Sequence, residues 1–366
     1  MSLSEIIREK IKLDGPISFH HFMEMALYYP DLGYYTSLRD KIGKHADYYT
    51  SSDFTSLFGV MVGKQIEEMW SILNEQPFSI VEYGAGMGFL CRDILHYLAN
   101  NKKLYGAIRY CIIEKSAAMR EKQKFILNEK VSWHNSIFDI PEIAGCVLSN
   151  EVLDNFSVHR VVMEDDLMEI FVDYENDFGE IIKPAPPALK NYLDELKINL
   201  SNGFHAEINL EAINWISDIA ASLKKGFVIT IDYGYPSSEL YVESRRSGTL
   251  MCYSKHSVND QPYIDIGEQD ITAHVNFSAL VHWGEKNGLE CCGFTDQRHF
   301  LQGLGLADYL RKLEQSASGD LKINSEKVNF LHTLLMDMGS KFKVLIQQKG
   351  LKETNLSGLT FARQIN

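Results

Sequence analysis

Ser79-Ile80-Val81-Glu82-Tyr83-Gly84-Ala85-Gly86-Met87-Gly88-Phe89 is the stretch around which the rest of the chain is organised. A short apolar run ends in an acid, passes three glycines at alternate positions, and enters residues 90–98, where the apolar spacing is helical. The order is strand, tight turn, helix. Alternate glycines remove side chains where a backbone must bend sharply and lie close to a ligand. The helix that follows opens with unpaired N–H groups.

The dinucleotide fingerprint G-x-G-x-x-G/A is one occupant of such a turn. Here the third glycine comes one place early, at Gly88, and Phe89 stands where that fingerprint needs Gly or Ala. The form E-x-G-x-G-x-G, Glu82 to Gly88, resembles instead motif I of the class I S-adenosylmethionine (SAM) methyltransferases. In those enzymes the turn lies beside the amino-acid part of SAM. For this motif taken alone, an ordinary βα turn with no ligand stays open.

From residue 79 strands and helices alternate, which predicts a mostly parallel sheet with helices on both faces. Strands are expected at 79–83, 110–114, 131–134, 145–149 and 227–232, with 289–295 and 341–349 closing a Rossmann-like α/β sheet of seven. Helices are expected at 2–13, at 19–28 behind the cap Ser18, from the cap Asp53 to about 73, and at 207–223, 277–287, 305–316 and 325–337. This divides the chain into an N-terminal helical and lid region, 1–78, a core, 79–350, and a tail, 351–366. Insertions interrupt the core near 158–206, 234–275 and 298–340. Within them 158–163 and 169–174 form a hairpin, 183–187 reads as a proline-rich connector, and 235–275 as an irregular segment ordered by its aromatics and histidines.

Open α/β sheets bind ligands outside the carboxyl ends of their strands, where the strand order reverses. Glu114 closes the second strand, the place where such folds hold a ribose, and Ser136 and Ile137 lie in the loop where adenine is expected. Asn150, Glu151 and Asp154 follow the fourth strand and face the same crevice as the glycine turn. Two acids there are candidates for substrate binding or proton handling. The tyrosine-rich segments around Tyr34-Tyr35 and Tyr48-Tyr49-Thr50 are expected to fold over the cofactor as a lid.

A formal charge of −13 over 366 residues argues against a nucleic-acid partner, which needs clustered Lys and Arg, and favours a basic protein partner. Six cysteines without a C-x-x-C pair point to neither a zinc site nor a disulfide framework, so no metal is expected. No apolar run approaches the roughly 20 residues that span a bilayer. Residues 1–12 carry Glu5 and Glu9 and read neither as a secretory signal nor as an Arg-rich presequence. A bacterial cytoplasm is the expected location, and the oligomeric state is left open.

With these pieces in order, residues 16–298 resemble the MidA-like family, which includes a mitochondrial protein arginine methyltransferase needed for respiratory complex I assembly. The resemblance rests on Leu32-Gly33-Tyr34-Tyr35, Asp47-Tyr48-Tyr49-Thr50-Ser51, Phe58-Gly59, the glycine turn, Asn150-Glu151 with Asp154, and Asp232-Tyr233-Gly234. It rests above all on Gly248-Thr249-Leu250 and on Gly267-Glu268-Gln269-Asp270-Ile271-Thr272-Ala273-His274-Val275. The chain departs from the family where Ala85 replaces a proline of the turn, where Ser52 stands for a proline, and at Asn155-Phe156-Ser157, usually Ala-Leu-Pro.

The resemblance implies SAM as cofactor, held by Glu82, Gly84, Ala85, Gly86, Gly88, Glu114, Ser136, Ile137, Asn150, Tyr35 and Thr50. It implies methyl transfer to arginine of a protein, a respiratory-complex subunit among the candidates. Carboxylates would then hold the protonated guanidinium, Glu151 first and Asp154 second. His274 with Asp270 is a candidate substrate-side pair, or else braces a buried loop. The departures at 155–157 keep open a catalytically weak SAM-fold assembly or binding factor. A NAD-linked oxidoreductase is disfavoured by Phe89.

Overall fold

The computed structural model describes residues 1–37, 56–74, 76–254, 257–309, 311, 339–352 and 354–365. Its centre is a twisted sheet of seven principal strands. These are β1 (Phe78–Tyr83), β2 (Ile108–Ile113), β3 (Val131–His134), β4 (Ile143–Asn150), β5 (Leu223–Tyr235), β6 (Glu290–Asp296) and β7 (Phe342–Lys349). Their order across the sheet is 3-2-1-4-5-7-6, with β7 antiparallel to both neighbours and the first five strands parallel. The order reverses between β1 and β4, so the crevice expected for a ligand opens there.

Strands covered on both faces carry apolar residues at consecutive positions rather than alternate ones. Ile80 and Val81 are both fully buried, yet they point to opposite faces and join two separate apolar clusters. Seven helices matter here: α1 (Leu3–Asp14), α2 (Phe19–Tyr28), α3 (Ser56–Ile72), α4 (Phe89–Leu98), α5 (Ala117–Ile126), α6 (Leu210–Ser222) and α7 (Phe277–Lys286). On one face Phe58, Met61 and Trp70 of α3 and Leu90 and Ile94 of α4 pack with Ile80 and Ile112. On the other, Trp215 and Ile216 of α6 and Phe277 and Leu280 of α7 pack with Val81 and Val147. Thus α3 belongs to the core layer, although it precedes the expected boundary at residue 79.

Helices α1 and α2 pack elsewhere. Ser2 and Glu5 form a capping box on α1, and Ser18 Oγ accepts the His21 N–H at 3.2 Å to cap α2. Their apolar faces, including Ile7, Ile11, Phe19, Phe22 and Leu27, cluster with Val172, Ile271 and Ala273 of the insertions. The first insertion is an antiparallel sheet in which Ile17–Ser18 pairs with Leu167–Tyr174.

Several boundaries differ from the sequence reading. Lys183 and Pro184 end a strand, Phe178–Pro184, and Pro187 opens a helix, Pro187–Glu195, so 183–187 is no free connector. Proline is tolerated at a strand terminus and at a helix's first position, and the cluster carried both signals at once. Helix α6 begins at Leu210 behind Asn209, whose side chain accepts the Ala212 N–H at 2.9 Å; Glu207 lies in a short strand before it. Residues 235–275 contain a small sheet of Met251–Ser254, Ser257–Asn259 and Asp270–Thr272, strands too short to show a period. The expected tail is bound to the core: Ser357 donates to Glu68, and the Arg363 N–H donates to Phe294 O at 2.8 Å. Asp53 and most of the expected helices at 305–316 and 325–337 lie outside the described residues, of which no helix is long and apolar enough to cross a membrane.

Candidate active site

A cavity of about 1470 Å³ lies over the carboxyl ends of β1, β2, β4 and β5. That exceeds the roughly 300–1,000 Å³ of an ordinary small-molecule site, leaving room for a cofactor and a second group together. Its walls divide into two halves.

The first half is built on the glycine turn. Gly84, Gly86 and Gly88 have φ of 58, 52 and 84°, the left-handed region that a Cβ disfavours, and this is the physical reason for glycine at alternate positions. The turn is tied down from α5, where the Gln123 amide donates to Gly86 O at 2.8 Å while its own oxygen accepts from Trp133 at 2.7 Å. Glu114 follows β2, lines the cavity, and accepts the Ser116 N–H at 2.9 Å; burial pushes its carboxyl above the usual range. Ser136 and Ile137 line the same half.

Glu82 also lines the cavity, but it is 2% exposed and accepts the Tyr110 hydroxyl at 2.7 Å. Burial pushes its carboxyl up to about 7, with the Tyr110 bond pulling the other way. A carboxyl raised in the folded state contributes stability below its ordinary value and loses it as pH rises through the folded value. Glu82→Gln carries no charge and keeps an acceptor for Tyr110. Its ligand-free stability should gain on the wild type by about 3 kcal/mol between about pH 5 and about pH 8. Thermal melts across that range check this, and parallel curves for the two proteins would show that Glu82 does not titrate there.

The second half is acidic. Glu151 lines it, and Asn150 Nδ2 donates to Glu151 Oε1 at 3.0 Å. Asp154 is 5% exposed, and its Oδ1 has no hydrogen-bond partner among the described residues. Burial first, then the nearby Asp232, Asp270 and Glu151, hold its carboxyl well above the usual range. Asp270 is 3% exposed; its Oδ2 accepts the Tyr35 hydroxyl at 2.8 Å and its Oδ1 the Asn155 amide at 3.2 Å. Tyr28 stacks on Tyr35 with centroids 5.6 Å apart, and Tyr233 and Tyr253 complete an aromatic wall. Lys115 and Lys122, which also line the cavity, belong to the segment after β2.

The structure therefore brings Glu82, Gly84, Ala85, Gly86, Glu114, Ser136, Ile137, Asn150, Glu151, Asp154, Asp270 and Tyr35 to one cavity. Gly88 caps α4 just behind it. The Tyr35 hydroxyl donates to Asp270, which places it on the acidic side of the cavity. His274 does not join Asp270 in this cavity. Its ring lies in a separate crevice with Glu207, Tyr241 and Arg245, where burial pushes it down to about 4. Its Nδ1 has no hydrogen-bond partner among the described residues, and its ring lies 5.4 Å from that of Tyr235. Thr50 and the Tyr48-Tyr49 segment fall outside the described residues. The sequence reading gave no site role to Tyr28 and Tyr253, which lie in no motif, to Asn155, read only as a departure from the family pattern, or to Asp232, quoted only for the resemblance.

Two buried acceptors in the cavity have no partner among the described residues, Asn150 Oδ1 and Asp154 Oδ1. The open glycine turn, the Glu114 carboxylate and Asn150 suit a ligand with a polar amino-acid end and a ribose, as SAM has. Fold and site together define a class I methyltransferase.

The chain belongs to a family of S-adenosyl-L-methionine-dependent methyltransferases, whose model matches residues 61–295. The solved structure of a COG1565 superfamily member from Burkholderia thailandensis, bound to S-adenosyl-homocysteine (SAH), superimposes with a TM-score of 0.89 at 28% identity, covering 99% of this chain and 95% of that one. The chain is 27% identical to the protein arginine methyltransferase NDUFAF7 homolog, mitochondrial, of Drosophila melanogaster, over 97% of this chain and 86% of the relative. To the mouse protein arginine methyltransferase NDUFAF7, mitochondrial, it is 25% identical, over 84% and 75%. The MidA-like resemblance thus extends beyond the quoted motifs, and SAM is the cofactor.

Proposed function

We propose that the methyl acceptor is an arginine of a protein, with a respiratory-complex subunit the first class to try. The observation that carries this is the grouping of Glu151, Asp154 and Asp270 in the second half of the cavity. Burial and the neighbouring acids, Glu151 and Asp270 among them, raise the proton affinity of Asp154, so a cation seated there relieves that repulsion. A guanidinium stays protonated, donates paired hydrogen bonds to carboxylates, and stacks on aromatic rings such as those of Tyr28 and Tyr35. The names of the relatives support the same reading.

SAM supplies a methyl group on a sulfonium, already an activated leaving group. What this chain's residues do is position. The glycine turn and Glu114 seat the cofactor, and Glu151 and Asp154 orient the acceptor nitrogen and draw charge away from it. The test is transfer from SAM carrying a labelled methyl group into an extract of cells lacking this protein, followed by acid hydrolysis of the labelled protein. Label recovered as methylarginine is the expected result. Label recovered only as methyllysine or in non-protein material would overturn the arginine reading.

A further inference from the structure

The turn that carries Glu151 is held in a conformation its sequence does not favour. Glu151 has φ of 55°, in the left-handed region, although it bears a Cβ and is neither Gly nor Asn. Strain of that kind persists only where the surroundings over-determine it. The surroundings are the end of β5. The Glu151 N–H donates to Ile231 O at 2.9 Å. One residue on, Asp232 Oδ2 accepts the N–H groups of Val152 at 3.1 Å and Leu153 at 2.8 Å, while Oδ1 accepts that of Tyr233 at 2.8 Å.

Asp232 is fully buried and is not among the residues that line the cavity. Burial drives its proton affinity up, and the backbone N–H bonds pull it back down. A buried carboxylate is costly unless donors surround it, and here the donors come from the segment that follows Glu151. The same segment abuts the cofactor side: a Cβ placed on Gly84 would lie 3.0 Å from Val152 Cγ2. Cofactor turn, Glu151 turn and Asp232 therefore form one contiguous set.

We propose that Asp232 is the positioning residue of the active site: by gathering the amides of Val152 and Leu153 it locks Glu151 in its left-handed conformation and aims that carboxylate into the cavity, touching neither cofactor nor acceptor itself. The proposal rests on the reading of Glu151 as the acceptor-side carboxylate. The test below follows the turn separately from the chemistry.

Asp232→Asn keeps the shape but exchanges one acceptor oxygen for a donor, so the full set of N–H bonds cannot be retained. In the full chain saturated with SAH, amide exchange at residues 152 and 153, followed by NMR, should speed up by about 100-fold. SAH affinity should stay within about threefold of wild type, because Asp232 makes no hydrogen bond to the glycine turn, whose own bond to Gln123 remains. Unchanged exchange at 152 and 153 would overturn the proposal. In labelled-methyl assays with SAM and cell extract, Asp232→Asn should lower kcat by about tenfold or more with KM for SAM unmoved, and should add almost nothing in a Glu151→Gln background. Equal losses in both backgrounds mean that Asp232 acts elsewhere, which also overturns it.

Should Asp232→Asn fail to fold, Asp232→Glu retains the charge and both acceptor oxygens and should show the same pattern at smaller amplitude. If neither folds, Asp232 is a core residue and the proposal is wrong. A fully active Glu151→Gln enzyme alongside faster exchange at 152 and 153 in Asp232→Asn would instead remove the acceptor role of Glu151 and leave the positioning of its turn established.

Discussion

Glu151→Gln is expected to bind SAH within about threefold of wild type while methyl transfer per bound SAM falls by about 100-fold or more, equivalent to about 3 kcal/mol of lost transition-state stabilisation. The substitution is nearly isosteric, and the bond from Asn150 Nδ2 to Oε1, 3.0 Å in the structure, has an oxygen to go to in either residue. What changes is charge. A carboxylate facing a guanidinium in a half-enclosed, tyrosine-walled cavity makes charge-assisted hydrogen bonds, which a neutral amide replaces with one acceptor and one misplaced donor. If Glu151 only braced its loop, the same change would lower thermal stability and leave transfer per bound SAM intact. Measuring melting, SAH affinity and transfer on one preparation separates the two, and an active Glu151→Gln enzyme acting on arginine would sink the proposed mechanism.

Asp154 and Asp270 extend the same argument. Neither sits beside a lysine or arginine in that half of the cavity among the described lining residues. Asp270 accepts hydrogen bonds from Tyr35 and Asn155. Asp154, buried with one oxygen unpartnered, is the group whose protonation a bound cation should suppress most.

The parts of this fold that the sequence disclosed are those in which one physical requirement dominates a stretch. The strand 79–83 showed as an apolar run because it is covered on both faces, and the turn after it showed as alternate glycines because three successive bends need positive φ. Glu114 and Glu151 were found by their places at strand ends, which is where the topology directs ligands. What stayed hidden depends on contacts between distant segments. Tyr35 looked like part of a cofactor lid, and only the folding of α2 against the second insertion shows that its hydroxyl meets Asp270, more than two hundred residues on. His274 lay within the most specific motif of the chain, yet it lines a separate crevice beside Arg245. A motif marks which residues a family keeps together; it does not say which of them face the ligand. The short strands of 251–272 were illegible because three or four residues give no period to read.

Gly86→Val is expected to weaken SAH binding by about 100-fold or more, with Glu114→Ala losing about 10-fold to 100-fold. At Gly86 φ is 52°, and a β-branched residue is a severe outlier in that region, costing on the order of 1–3 kcal/mol if the turn keeps its shape. The turn has little freedom to take another shape, because Gly86 O accepts from Gln123 and the Gly88 N–H donates to Ala85 O at 2.8 Å. The added side chain would also project from a segment that lines the cavity. Gly86→Ala separates the two contributions: it carries most of the backbone strain and little of the bulk, so its loss should fall between wild type and Gly86→Val. Glu114→Ala removes a carboxylate from the end of β2 without touching backbone geometry, so its loss reports hydrogen bonds to the ligand, each worth about 1.5–3 kcal/mol when charged. Calorimetric titration with SAH, beside circular dichroism and melting to show that each variant folds, gives the ranking. If Gly86→Val and Glu114→Ala both bound SAH as wild type does, the cofactor would have to lie elsewhere in the cavity, and the division of its walls into a cofactor half and an acceptor half would fall with it.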